Sequence, residues 1–388
     1  MVYKIKRILG VKILIYFDYA ATTPMSENAL NVYVKAARNA FGNSSSLHDI
    51  GEISAKTLSA SRKIIAKIVN AHEKGIYFTS GGSEANIVAV QSLLNGIQHK
   101  KHIITSAHEH SSLHTFFKSL ESKGYHISYL RPNQQGIISL EQIQCELKKE
   151  TALVSIQHGN SEIGTINPIE DFGLFLREKN VVYHSDCVQT FGKIPIDVKN
   201  IDAISISSHK IYGPKGVGAA YINPSVHWQP IIPGTTHESG FRPGTVDVPA
   251  IAAFAAAAND IAKGQKQLYD HFVQLKSELI QLLEPYRNKI TLINAGFPHT
   301  LPNILPLFFK GIEGQYMMLE CNRFGFAIST GSACQVGMQA PSRSLLALGY
   351  NEQQAKQYGR ISLGKETTST QIEELSKVMI KVVENFRR

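Results

Sequence analysis

The chain has 388 residues, of which 43% are hydrophobic and 18% charged, and a formal net charge of +9. This composition excludes a disordered protein, and no apolar stretch approaches the ~20 residues of a membrane-spanning helix. The excess cations are spread along the chain, which fits either an acidic partner or plain solvated surface, and no direct nucleic-acid contact is expected. Cys145, Cys187, Cys321 and Cys334 form no C-x-x-C pair, so neither a disulfide scaffold nor a zinc site is expected, and a reducing, cytoplasmic compartment is.

In chain order, residues 1–15 are basic and then apolar. The apolar run is too short for a signal peptide and lacks a small-residue cleavage site, so a first strand or an upstream extension is expected. From about 52 to 360, short β-branched and aromatic runs alternate with helical patterns. Strands are expected at 76–78, 102–105, 125–130, 153–156, 181–184, 203–206 and 218–222. Helices are expected from Ser83 onward and at 139–149 and 169–179. Such alternation predicts an α/β layer structure around a mostly parallel central sheet. Residues 248–283 read as one long helix rich in alanine and leucine. Strands at 290–293, 304–309 and 326–328, a helix near 313–322 and a terminal amphipathic helix at 370–386 complete the pattern. The expected organisation is a large α/β domain over 16–262 and a smaller α+β domain over 263–388 that includes segment 1–15.

Three features carry chemistry. Phe78-Thr79-Ser80-Gly81-Gly82-Ser83 breaks a strand into two glycines before a helix. Free backbone N–H groups and the helix dipole make such a turn an anion seat, although the spacing is neither Walker A nor G-x-G-x-x-G. Asp186 ends an apolar strand, where parallel sheets gather their ligands and where a carboxylate could hold a pyridinium nitrogen protonated. Lys210 follows another strand beside the Tyr212-Gly213-Pro214-Lys215-Gly216 loop, and a neutral lysine amine can form a Schiff base. Taken singly, these are an ordinary strand–helix turn, a capping aspartate and a loop lysine. In this order they describe a phosphate cup, a pyridinium partner and a Schiff-base lysine.

With further motifs between and around them, the chain resembles the cysteine desulfurase family, within the class V aminotransferase-like, fold type I pyridoxal-phosphate enzymes. The resemblance runs from Phe17-Asp18-Tyr19-Ala20-Ala21-Thr22-Thr23-Pro24 to Arg360-Ile361-Ser362-Leu363-Gly364. It passes through Glu109-His110, Asn160-Ser161-Glu162-Ile163-Gly164-Thr165, Ser208-His209-Lys210 and Ser329-Thr330-Gly331-Ser332-Ala333-Cys334.

The resemblance implies pyridoxal 5'-phosphate as cofactor, bound by Lys210 as a Schiff base. Gly82, Ser83, Ser207 and His209 would hold the phosphate, and Thr245 would reach the phosphate of the other subunit of a homodimer. Asp186 would face the ring nitrogen, Gln189 and Ser161 the ring hydroxyl, and His110 the ring face. Arg360, with Asn160, would bind the substrate L-cysteine. Catalysis would fall to Lys210, His110 and Cys334. Cys334, on a stretch of small and polar residues expected to be a mobile loop of the longer-loop group, would take the sulfur as a persulfide and release L-alanine. A sulfur-acceptor protein, either an iron–sulfur scaffold or a thiolation enzyme, would then receive it.

Cys187, where the family has alanine, reads as packing, and Cys145 and Cys321 read as structural. Ser161 replaces a usual asparagine, Thr235-Thr236 replace glycines, and Ser239 replaces an arginine. A short C-terminal tail leaves a dedicated acceptor open. An aminotransferase would need no loop thiol, selenocysteine could be a side substrate, and a non-catalytic adaptor would need neither Lys210 nor Asp186.

Overall fold

The computed structural model describes residues 14–97, 99–331 and 341–386. Its main sheet has seven strands: β2 (Ile76–Thr79), β3 (His102–Ser106), β4 (His126–Leu130), β5 (Thr151–Ser155), β6 (Val182–Asp186), β7 (Ala203–Ser207) and β8 (Gly218–Ile222). Their order is β2-β8-β7-β6-β5-β3-β4, and only β8 runs against the rest. Both faces of the sheet are covered. Ile76, Phe78, Ile104, Val154, Ile204, Ile206 and Ala219 point into one core, while Tyr77, Ile103, Leu153, Ala203 and Ala220 point into the other. Neighbouring residues of a strand thus enter opposite apolar layers, which is why these segments read as continuous apolar runs.

A second, three-stranded antiparallel sheet joins β9 (Ile290–Leu292), β10 (Ile304–Phe309) and β12 (Tyr358–Ser362) in the order β12-β10-β9. Its core is shared with helices Gln265–Leu283 and Ser369–Asn385 through Phe272, Leu275, Leu279, Leu375 and Met379. β1 (Ile15–Tyr16) pairs in parallel with β11 (Phe326–Ala327). The expected first strand is therefore present at Ile15–Tyr16, while residues 1–13 lie outside the described residues.

The single long helix expected over 248–283 is two helices. Val248–Lys263 and Gln265–Leu283 meet at Gly264, whose φ of -100° and ψ of 8° leave the helical region. Glycine is the weakest helix former after proline, and the chain turns there. The alanine-rich first half packs on helices Glu27–Asn39 and Asp49–Ile68, a pair that the sequence reading did not place. Alanine on the contact face permits that close approach. The cup helix begins one residue earlier than expected, spanning Gly82–Gly96 with Gly81 at its N-cap.

Candidate active site

Successive strands of the main sheet deliver chemistry to one edge. Asp186 ends β6, Ser207 ends β7, Ser80-Gly81 follow β2, and Gln157 lies just beyond β5. This is the carboxyl edge of the parallel strands, where ligands of open α/β sheets bind. Here Gly82, Ser83, His110, Ser161, Asp186, Gln189, Ser207, His209, Lys210 and Arg360 line a single cleft of about 860 Å³, including its open mouth.

At the cup, no side chain caps helix Gly82–Gly96, so the N–H groups of its first turn receive no side-chain partner from the N-cap Gly81. A Cβ on Gly82 would stand 2.6 Å from Val188 Cγ2 and 3.4 Å from Ser207 Cβ, so only glycine fits. The Ser207 Oγ is buried and has no hydrogen-bond partner. A seat of unpaired donors at a helix start suits a phosphate group.

Asp186 is buried. Its Oδ1 accepts from the Val188 N–H at 2.9 Å and its Oδ2 from Asn86 Nδ2 at 2.7 Å. Asn86 lies on the cup helix and also lines the cleft. The sequence reading missed it, although an asparagine inside an apolar helical run is a signal in itself. His110 caps helix Ser111–Glu121: its Nδ1 meets the Ser112 Oγ at 2.8 Å and accepts from the Ser112 N–H at 3.2 Å. That fixes the ring against the cleft.

Lys210 closes the short turn Ser208–Lys210 after β7. Its Nζ donates to the carbonyls of Ala20 and Ala21, each at 2.7 Å. Gln189 Nε2 reaches the same Ala20 carbonyl at 3.0 Å. The Ala20-Ala21-Thr22-Thr23 stretch is thus a wall of the site, tied down by Thr23 donating to the His209 carbonyl and by Thr22 Oγ1 meeting His209 Nδ1 at 3.1 Å. Burial, and then the Lys210, Lys215 and Lys193 charges, push the His209 imidazole down to about 4, so it is neutral at pH 7.

Arg360, in the middle of β12, brings the second sheet to the cleft. It donates from Nη2 to Asp18 at 2.6 Å and from Nη1 to the Ser161 carbonyl at 2.8 Å. Its Nε is buried without a partner. Asn160 stands behind Ser161 and outside the cleft lining. Its side chain is spent on the protein: Oδ1 accepts from the N–H groups of Glu162 and Ile163, and Nδ2 donates to the His108 carbonyl and Ser344 Oγ. Thr245 also lies apart, in a hollow shared with Phe78, Ser80, Gly216 and Arg242.

Cys334 falls outside the described residues. Cys187 is fully buried, and burial, then the Asp186 charge, push its thiol far up. Cys321 is buried as expected, whereas Cys145 is exposed on helix Leu140–Glu146 and has no packing role. Among the described residues, no cluster of histidine, cysteine and carboxylate side chains could hold a metal ion.

The arrangement joins an anion seat, a buried carboxylate, an amine and a guanidinium around one cleft. The Aminotransferase class-V family profile matches residues 15–375. A relative from Bacillus subtilis (strain 168), named putative cysteine desulfurase NifS, is 48% identical over 93% of this chain and 93% of its own. A solved structure of a NifS-like protein superposes with a TM-score of 0.89 at 30% identity, covering 96% of this chain and all of the other. Another, of SspA in complex with cysteine, gives a TM-score of 0.77 at 32% identity and covers 91% of this chain and 99% of the other. The chain belongs to the class V aminotransferase family and, within it, to the cysteine desulfurases.

Proposed function

We propose that the chain removes sulfur from L-cysteine with the help of pyridoxal 5'-phosphate, leaving L-alanine and a persulfide on Cys334. The observation that carries the reading is the cleft itself: an unpaired Ser207 hydroxyl above an uncapped helix start, with Asp186, Lys210 and Arg360 facing the same space.

The cofactor fits these residues. Gly82, Ser83, Ser207 and His209 would hold its phosphate, Asp186 its ring nitrogen, and Lys210 its aldehyde carbon. His110 would lie along the ring, with Gln189 and Ser161 near the ring hydroxyl. When bound, the cofactor supplies an electron sink for charge developed at the substrate α-carbon. The remaining work belongs to the chain. Arg360 would bind the substrate carboxylate through the guanidinium donors that Asp18 and Ser161 leave over. Lys210 would move the proton at the α-carbon. Cys334 would form the new S–S bond as the carbon–sulfur bond breaks, so that cysteine plus enzyme thiol becomes alanine plus enzyme persulfide.

Thr245, outside its own cleft, would serve the cleft of a second copy in a homodimer. A sulfur-acceptor protein, an iron–sulfur scaffold or a thiolation enzyme, would relieve Cys334 of its persulfide. No helix among the described residues is long and apolar enough to cross a membrane. A cytoplasmic setting fits the free cysteines.

The test is mass spectrometry after brief exposure to L-cysteine, with alanine assayed in parallel. One added sulfur on the Cys334 peptide with matching alanine is expected. Alanine without that adduct would overturn the role of Cys334, and neither product would overturn the activity.

A further inference from the structure

The first turn of the cup helix carries a carboxylate, Glu84, which is out of place at a seat for an anion. Its Oε2 accepts from the Ser80 N–H. Arg242 answers it, with Nε donating to Glu84 Oε1 at 2.9 Å and to Oε2 at 3.0 Å. The two side chains are only 22% and 28% exposed, so solvent and salt screen this pair less than a surface pair.

Arg242 opens the segment that carries Thr245. The start of that segment is held by Phe241, which is buried, stacks on Tyr77 with ring centroids 4.6 Å apart and meets Trp228 edge-on at 5.6 Å. Its end is held by Asp247, whose side chain caps helix Val248–Lys263 by accepting from the Ala250 N–H at 3.0 Å. Between them Pro243, Gly244 and Thr245 are exposed, and Gly244 takes a φ of 99° that a side chain would resist. Arg242 and Thr245 share their hollow with Ser80, whereas Gly82 and Ser83 line the cleft. One turn of chain therefore serves two places. Gly82 and Ser83 face the chain's own cleft, and Glu84 holds the arm that bears Thr245 outside it.

We propose that Glu84 and Arg242 are positioning residues for Thr245: their ion pair sets the arm with which one copy of the chain completes the phosphate seat of the other. The inference rests on the reading of Thr245 as a phosphate ligand of a second copy. It accounts for the place of Glu84. An unmatched carboxylate in that turn would repel a phosphate at the positive end of the helix. Matched by Arg242 it repels little, and the pair is left to orient the arm. Arg242 lines the hollow and not the cleft, so its effect on a bound phosphate runs through the arm.

The test reads cofactor affinity and needs no turnover. The full-length chain, freed of cofactor, is dialysed to equilibrium against pyridoxal 5'-phosphate, and its oligomeric state is followed by sedimentation. Thr245→Val should weaken binding about tenfold, the scale of one hydrogen bond to a charged group. Arg242→Met should weaken it by a similar factor. Arg242→Met/Thr245→Val should bind no worse than Thr245→Val alone, because the same contact is lost in each. Glu84→Gln keeps an acceptor for Ser80 but offers Arg242 a weaker one, and should bind roughly threefold less tightly. Charges acting directly on the phosphate would give another pattern: additive losses for Arg242 and Thr245, and tighter binding in Glu84→Gln. Either result overturns the inference. If Arg242→Met does not melt cooperatively, Glu84→Gln and Glu84→Gln/Thr245→Val carry the same test. Wild-type affinity in Thr245→Val, or a chain that sediments as a monomer, overturns the Thr245 reading and this inference with it. The expected affinities with no alanine formed from L-cysteine reject the desulfurase reading alone.

Discussion

The carboxylate of Glu238 meets the guanidinium of Arg62 as a fork, Oε1 to Nη2 at 2.8 Å and Oε2 to Nη1 at 2.9 Å. The pair does more than neutralise itself. β2 is an edge strand, and its outward N–H at Phe78 donates to Glu238 Oε2 at 2.7 Å while its outward carbonyl at Ile76 accepts from Arg62 Nη1. Two side chains thus stand in for the missing neighbouring strand, and they close an edge that would otherwise invite pairing. Glu238 takes this position at a φ of 47°, with Ser239 at 56°, both in the left-handed region.

That network predicts a stability effect away from the cleft. Glu238→Gln keeps an acceptor for Phe78 but leaves the Arg62 charge unmatched, so it should cost roughly 3 kcal/mol, as breaking a buried pair does. Glu238→Ala should cost more, because the Phe78 N–H then also loses its partner. Denaturant midpoints of the two variants and of the Arg62→Met/Glu238→Gln double variant check it. The double variant should recover part of the loss, and equal midpoints for wild type and Glu238→Gln would refute the role.

Arg360 is expected to act on binding more than on chemistry. Its guanidinium is oriented by Asp18 and by the Ser161 carbonyl, with Nε left over. Arg360→Lys keeps the charge but loses the planar fork, so KM for cysteine should rise about tenfold or more while kcat changes less. Steady-state kinetics decide, and an unaltered KM would remove Arg360 from substrate binding.

Much of this site was legible in the sequence because its parts are local. A strand, two glycines and a helix start describe an anion seat without any tertiary information, while Asp186 ends a strand and Lys210 closes the turn just after another, both strands legible from their β-branched residues. What could not be read was long-range. Asp18 lies 342 residues from Arg360, and no period or spacing links them. Asn160 stood in the right motif, yet its polar atoms turn inward to Glu162, Ile163, His108 and Ser344. The break at Gly264 was misread because alanine-rich and leucine-rich stretches on either side both carry helical periodicity. Only the residue between them differs.

Cys187 is the rival of Cys334 for the role of sulfur acceptor, and its own burial argues against it. Cys187 sits in the main core with no exposure, and its thiolate is strongly disfavoured by burial and by Asp186. A thiol must ionise and reach the substrate to act. Cys187→Ala should therefore leave persulfide formation and alanine yield intact, at a packing cost of about 1 kcal/mol. Cys334→Ala should abolish the persulfide while the protein still binds cofactor. Loss of the adduct in Cys187→Ala would reverse the assignment.

Glu109 gives the fold a pH signature. It lies beside His110, fully buried, with Oε1 accepting from Ser106 Oγ at 2.6 Å and from the Gln157 N–H at 2.9 Å, and with Oε2 unpartnered. Burial, reinforced by the nearby Asp186 charge, raises its carboxyl from the ordinary 4.5 to about 8 despite those hydrogen bonds. The folded chain then holds a proton here that the unfolded chain has released. Between about 4.5 and 8 the native state binds more protons, so this group's contribution to stability is complete at low pH and is lost as pH rises through that window. Glu109→Gln keeps an acceptor for Ser106 and Gln157 and cannot ionise. Its melting temperature relative to wild type should climb steadily from pH 4.5 to pH 8 and level off beyond. A constant difference across that range would mean that Glu109 stays ionised in the fold.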